Sequence, residues 1–164
     1  MTGTILQINI SPGGVPKRPV FEAMLTPAGV QGDAWAHPRI HGGPLKAVLL
    51  ICAEVIDELR AAGYPVFYGA LGENFTVRGL DPRQLRPGQR FRAGAAVIEL
   101  TSVRIPCETL DVYGPSIKAA IFDKAVKAGD TSSPLWARSG MYAAVVSGGM
   151  VRPNDIITLM DAAV

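Results

Sequence analysis

The residues of this chain best suited to chemistry lie in Thr101-Ser102-Val103-Arg104-Ile105-Pro106-Cys107, after an apolar run over 95–100. Pro106 fixes its own φ and biases Ile105 to extended geometry, which predicts a strand that ends there with Cys107 at its mouth. Arg104 is a permanent cation with five donors and can fix an anion nearby. A positive field favours the thiolate, the form of a cysteine that attacks or ligates a metal. The same cysteine would also serve as a small buried hydrophobe, and the segment alone leaves both roles open. Cys52 sits between apolar neighbours at a strand–helix junction and reads as packing.

Three further loops gather polar groups. Ser11-Pro12-Gly13-Gly14-Val15-Pro16-Lys17 couples two glycines, which permit close backbone approach, to a lysine suited to a phosphate. A plain connection between strands accounts for it equally. The second region runs through Gly29-Val30-Gln31-Gly32-Asp33 to His37-Pro38-Arg39-Ile40-His41-Gly42-Gly43-Pro44 and holds both histidines of the chain. His37 and His41 have the spacing of a helix-borne zinc pair, but Pro38, Gly42 and Gly43 break such a helix. His41-Gly42-Gly43 better offers an imidazole and two amides to an anionic ligand. In the third loop, Gly72-Glu73-Asn74 directly precedes a β-type run. Asn brings donors and acceptors together and Glu can hold a donor or orient a cation, although a turn uses the same residue types.

These loops need a frame to hold them. Residues 5–10 alternate apolar and polar as a half-buried strand, 19–25 resume as a strand, and 46–51 form a continuous apolar run of the kind buried on both faces. Residues 53–62 place Val55, Ile56 and Leu59 against charges at helical spacing, with Gly63 as the stop. Residues 116–128 predict a second helix, 141–146 a strand, and 156–160 a closing strand. Arg86-Pro87-Gly88 and Arg152-Pro153-Asn154 each suit a type II turn entering a strand. Many short strands, Gly/Pro turns and only two helices predict a β-rich α+β fold, a closed or nearly closed barrel, as one domain over 1–164.

Composition narrows the functional classes. With 48% apolar and 18% charged residues the chain is globular, and a net charge of +2 gives no footprint for nucleic acid or a membrane surface. Two cysteines far apart make a poor disulfide framework. No run is long enough to span a bilayer, and the first ten residues lack the pattern of a signal peptide. A reducing, cytoplasmic setting is the expectation.

In order, Gly13-Gly14-Val15-Pro16-Lys17, Gly29-Val30-Gln31-Gly32-Asp33, His41-Gly42-Gly43-Pro44-Leu45-Lys46-Ala47-Val48, Gly72-Glu73-Asn74-Phe75-Thr76-Val77-Arg78-Gly79-Leu80 and Arg104-Ile105-Pro106-Cys107 resemble the MOSC domain family, over about residues 8–159. The family takes its name from the C-terminal domain of molybdenum cofactor sulfurases. The resemblance implies a β-barrel-like fold and a pterin-based molybdenum cofactor, with Cys107 as molybdenum ligand or sulfur carrier. It points to Lys17, Arg104 and Arg138 for the cofactor's phosphate. It assigns Asp33, His41, Gly42, Gly43 and Asn74 to the cofactor's remaining hydrogen-bonding edges. It also implies an oxidoreductase that reduces N-hydroxylated small molecules with electrons from a partner protein. Two alternatives stand beside it: a carrier that passes a Cys107 persulfide or the cofactor to a biosynthetic partner, and an interaction module whose cofactor site has decayed.

Overall fold

The computed structural model describes residues 1–34 and 42–161; His37 and His41 lie outside the described residues. β1 (Thr2–Ile10) is the longest strand and is shared by several neighbours. β6 (Phe75–Arg78) pairs along one of its edges, while β11 (Ile156–Leu159) and then β2 (Arg18–Val20) share the other. Together with β5 (Val48–Cys52), β7 (Arg90–Ala93), β8 (Ala96–Val103) and β9 (Met141–Ser147), they form an eight-stranded sheet in the order β11-β7-β8-β9-β5-β6-β1-β2. The added β11–β1 pairing closes every strand except β2 into a barrel, as the pattern of short strands predicts. A small second sheet, β10-β3-β4, joins β3 (Ala23–Thr26), β4 (Gly29–Val30) and β10 (Gly149–Val151).

Local chemistry explains these elements. Ile5 and Ile8 both reach the core although three residues apart, because the register against β6 shifts between Ile5 and Gln7. A bulge of that kind inserts one unpaired residue and resets the alternation. β5 is buried at every position and runs parallel to β6, so it needs a crossover; α1 (Ala53–Ala61) provides it, packing Val55, Ile56 and Leu59 inward. Gly63 follows with φ +94° and donates to the carbonyl of Arg60, the stop that the sequence predicts. Gly88 (φ 88°) and Asn154 (φ 73°) take the left-handed position of the two expected type II turns, closed by Gln89 N–H to Arg86 and Asp155 N–H to Arg152.

Two expected elements are divided. The helix expected over 116–128 is two short ones, α2 (Ile117–Ile121) and α3 (Lys124–Lys127). Phe122 turns extended, and Asp123 caps α3 by accepting the Val126 N–H at 2.8 Å; an aspartate that finds such a bond starts a new helix rather than continuing the old one. The strand expected over 19–25 breaks at Phe21, which is 96% exposed, and its halves, β2 and β3, belong to different sheets.

Candidate functional site

Three strands meet at Leu49. Tyr142 of β9 lies opposite it in the β5–β9 register. On its other side Asn74, just before β6, donates its backbone N–H to the Leu49 carbonyl at 2.8 Å and accepts the Leu49 N–H on Oδ1 at 3.0 Å. Asn74 Nδ2 donates to the Asn9 carbonyl at 3.1 Å and to Asp33 at 2.8 Å. The amide therefore fixes β1, β5 and the Asp33 loop to one another, a bracing role the sequence did not disclose.

Asp33 is the second knot. Its carboxylate accepts the Ser11 N–H at 2.8 Å and forms a buried ion pair with Lys17. The Lys17 backbone N–H donates to the Gly69 carbonyl, so the lysine is held at both ends. Its charge, assigned from the sequence to a phosphate, is matched inside the protein.

Arg104, Cys107 and Tyr142 form the reactive side. Arg104 is 4% exposed; its backbone N–H donates to the Gly140 carbonyl, and Ser139 Oγ donates to its carbonyl at 2.6 Å. Its side chain bonds Tyr142, yet its buried Nη1 has no hydrogen-bond partner among the described residues. Burial lowers the Arg104 guanidinium from its ordinary range, while Tyr142, Cys107 and Glu73 raise it. Tyr142 is pushed up by burial, with Arg104 pulling it back. Cys107 is half-buried at the start of the 3-10 turn Glu108–Tyr113, after β8 has already ended at Val103 rather than at Pro106, with Thr109 Oγ1 at 2.9 Å from its sulfur. The Lys46 ammonium lies over the Tyr142 ring, 5.4 Å from its centre.

One cleft gathers Lys17, Lys46, Asn74, Arg104, Cys107 and Tyr142, with Val15, Leu49 and Leu71 as apolar wall. Gly42 and Gly43 lead into the 3-10 turn Pro44–Lys46 that delivers Lys46. Arg138 does not line this cleft. It lies in a second hollow with Glu54 and Asp81 and pairs with Glu58 at 2.7 Å, a partner 80 residues away in sequence. Lys46, Thr109 and Tyr142 escaped the sequence reading of the site; the one signal was a lysine set directly before an all-apolar strand. Among the described residues no three His, Cys, Asp or Glu side chains converge to hold a metal ion, and no helix is long and apolar enough to cross a membrane.

Comparison with known proteins places this arrangement among relatives. A family model described as MOSC domain matches residues 37–158. The chain is 32% identical over 151 residues to YflK, an uncharacterized protein of Bacillus subtilis (strain 168), covering 90% of this chain and 63% of that protein. It is 32% identical over 100 residues to YiiM of Escherichia coli (strain K12), covering 56% of this chain and 43% of the relative. The chain thus spans less than two thirds of either relative's length. The crystal structure of YiiM from Geobacillus stearothermophilus shares the fold, with a TM-score of 0.73 at 24% identity over 97% of this chain and 75% of that one. YiiM from Escherichia coli gives a TM-score of 0.69 at 22% identity, over 99% and 71%.

Proposed function

Because the chain belongs to the MOSC domain family, we propose that its cleft binds the pterin-based molybdenum cofactor, that Cys107 ligates the molybdenum, and that the protein reduces N-hydroxylated small molecules. The observation that carries this reading is a half-buried thiol beside a buried arginine that keeps an unpartnered donor. A thiolate is a soft donor suited to a metal that already brings most of its ligands, which matches a site offering one thiol and no full ligand set among the described residues. Arg104 and Lys46 suit the group's anionic oxygens, and Val15, Leu49 and Leu71 suit its flat ring. The residues present therefore fit the cofactor.

When bound, the cofactor supplies two-electron redox chemistry that no side chain here provides. The protein's part is positional. Cys107 holds the group, Tyr142 keeps the Arg104 guanidinium at the cleft, and the Lys17–Asp33–Asn74 knot fixes another part of the lining. Overall, an N-hydroxyl compound takes up two electrons and two protons and leaves as the amine and water. The electrons come from an external redox protein.

Elemental analysis of wild type and Cys107→Ser, made in a host that synthesises the pterin cofactor, tests the reading. The expected result is near-stoichiometric molybdenum or tungsten in wild type and its loss in the variant. Metal retained in Cys107→Ser removes the thiol from the ligand set. No metal in either protein favours the carrier reading, with a persulfide on Cys107 as the species to detect.

A further inference from the structure

We propose that the cleft is a proton-coupled oxyanion site: a bound oxyanion becomes the counter-charge of Arg104, and the buried carboxylate of Glu73, freed from that duty, takes up a proton. This goes beyond the cofactor reading and requires neither molybdenum nor pterin.

Glu73 is fully buried. Its Oε1 accepts both the Gly69 N–H at 2.6 Å and the Thr76 hydroxyl at 3.0 Å, whereas Oε2 is buried with no partner among the described residues. Arg104 Nη1 is the complementary case, a buried donor without an acceptor. The two side chains influence each other electrostatically, yet no direct ion pair joins them among the described residues. Opposite charges held apart in a low-dielectric interior, each with an unused hydrogen-bonding atom, respond to a third charge placed at the cleft. Among the described residues the other titratable groups that act on this pair are few. Tyr113, in the 3-10 turn after Cys107, feels the charge of Glu73; Tyr142 of β9 bonds Arg104, and Cys107 acts on Arg104 through its charge. Lys17 is committed to Asp33, and Lys46 lies over the ring of Tyr142.

The sign of the coupling follows. Burial raises the Glu73 carboxyl above its usual range, while the Gly69 N–H, the Thr76 hydroxyl and Arg104 pull it down. An anion seated on Arg104 cancels part of that pull, so Glu73 holds its proton more tightly in the bound state. Between its free and bound titrations, binding takes up a proton and strengthens as pH falls, by at most about tenfold per pH unit for one proton. Below both titrations the coupling disappears.

The test is calorimetric titration of sulfate into the full chain, made without pterin cofactor, in buffers of different ionisation enthalpy across about pH 5 to 8. Sulfate stays dianionic throughout, so any proton taken up goes to the protein. We expect uptake approaching one proton at some pH in wild type. In Glu73→Gln, whose amide oxygen can still accept from Gly69 and Thr76, sulfate binding should persist with an affinity that no longer follows pH. Absence of sulfate binding, binding without proton uptake at any pH, or uptake that survives in Glu73→Gln would each overturn the proposal. Should Glu73→Gln fail to fold, infrared difference spectra of wild type with and without sulfate decide it: a protonated carboxyl band should appear on binding, and its absence overturns the proposal.

Discussion

Lys17 Nζ lies 2.5 Å from the carboxylate of Asp33, and the two side chains are only 8% and 4% exposed. A lysine at the end of a glycine-rich loop invites assignment to a phosphate, but here its partner is already within the fold. Removing one member of a buried pair strands the other charge without water, which costs more than the pair itself contributes. Lys17→Ala should therefore destabilise the protein by about 3–5 kcal/mol. Adding Asp33→Asn in the same chain should recover much of the loss, since the stranded charge is then gone. Urea unfolding of both variants measures this. Unchanged stability in Lys17→Ala together with weaker anion binding would mean that the lysine serves a ligand.

The two cysteines should separate cleanly by reactivity. Cys52 is 1% exposed at the β5–α1 junction, and burial pushes its thiol far above the ordinary range, with Glu54 and Asp81 adding to the effect. A raised thiol presents almost no thiolate even as the solution becomes mildly alkaline, so Cys52 should stay silent across about pH 7 to 9. Cys107 is half-buried and lines the cleft. Native protein should show one fast thiol toward a disulfide reagent, and denatured protein two. Cys107→Ser should show none until it unfolds. Two fast thiols in the native state would mean that the β5–α1 junction opens.

Much of the frame was legible because its signals are local. An all-apolar run gave β5, helical spacing with Gly63 gave α1, and Pro-Gly and Pro-Asn gave the type II turns. The site was legible only where the chain places chemistry next to chemistry, as in Arg104-Ile105-Pro106-Cys107. What escaped depends on register and distance. Tyr142 faces Leu49 in the β5–β9 register and Ser102 across a β8–β9 ladder that shifts between Leu100 and Ser102, and no count of alternation reveals a bulge. Arg138 was assigned to the cofactor, but Glu58, far off in sequence, holds it in another hollow. Asp123 divided a helix because its side chain, rather than the apolar periodicity, decided where the next one starts.

Two glycines with similar φ should differ sharply on substitution, and the difference isolates the packing that supports the site. Gly63 (φ +94°) has nothing within 4 Å of where a Cβ would stand, so Gly63→Ala carries only the cost of a left-handed backbone, about 1–2 kcal/mol. At Gly140 (φ +106°) a Cβ would lie 2.8 Å from Ile51 Cγ1 and 2.9 Å from the Leu50 carbonyl, both in the buried strand β5. Overpacking adds about 1–3 kcal/mol to the same backbone cost. The carbonyl of Gly140 also accepts the Arg104 N–H at 2.9 Å, so any shift that relieves the clash moves the arginine. Gly140→Ala should therefore melt well below Gly63→Ala and bind anions more weakly, whereas Gly63→Ala should keep wild-type anion affinity. Equal melting temperatures in the two variants would show that β5 yields to the added methyl group, and unaltered anion binding in Gly140→Ala would separate Arg104 from that backbone support.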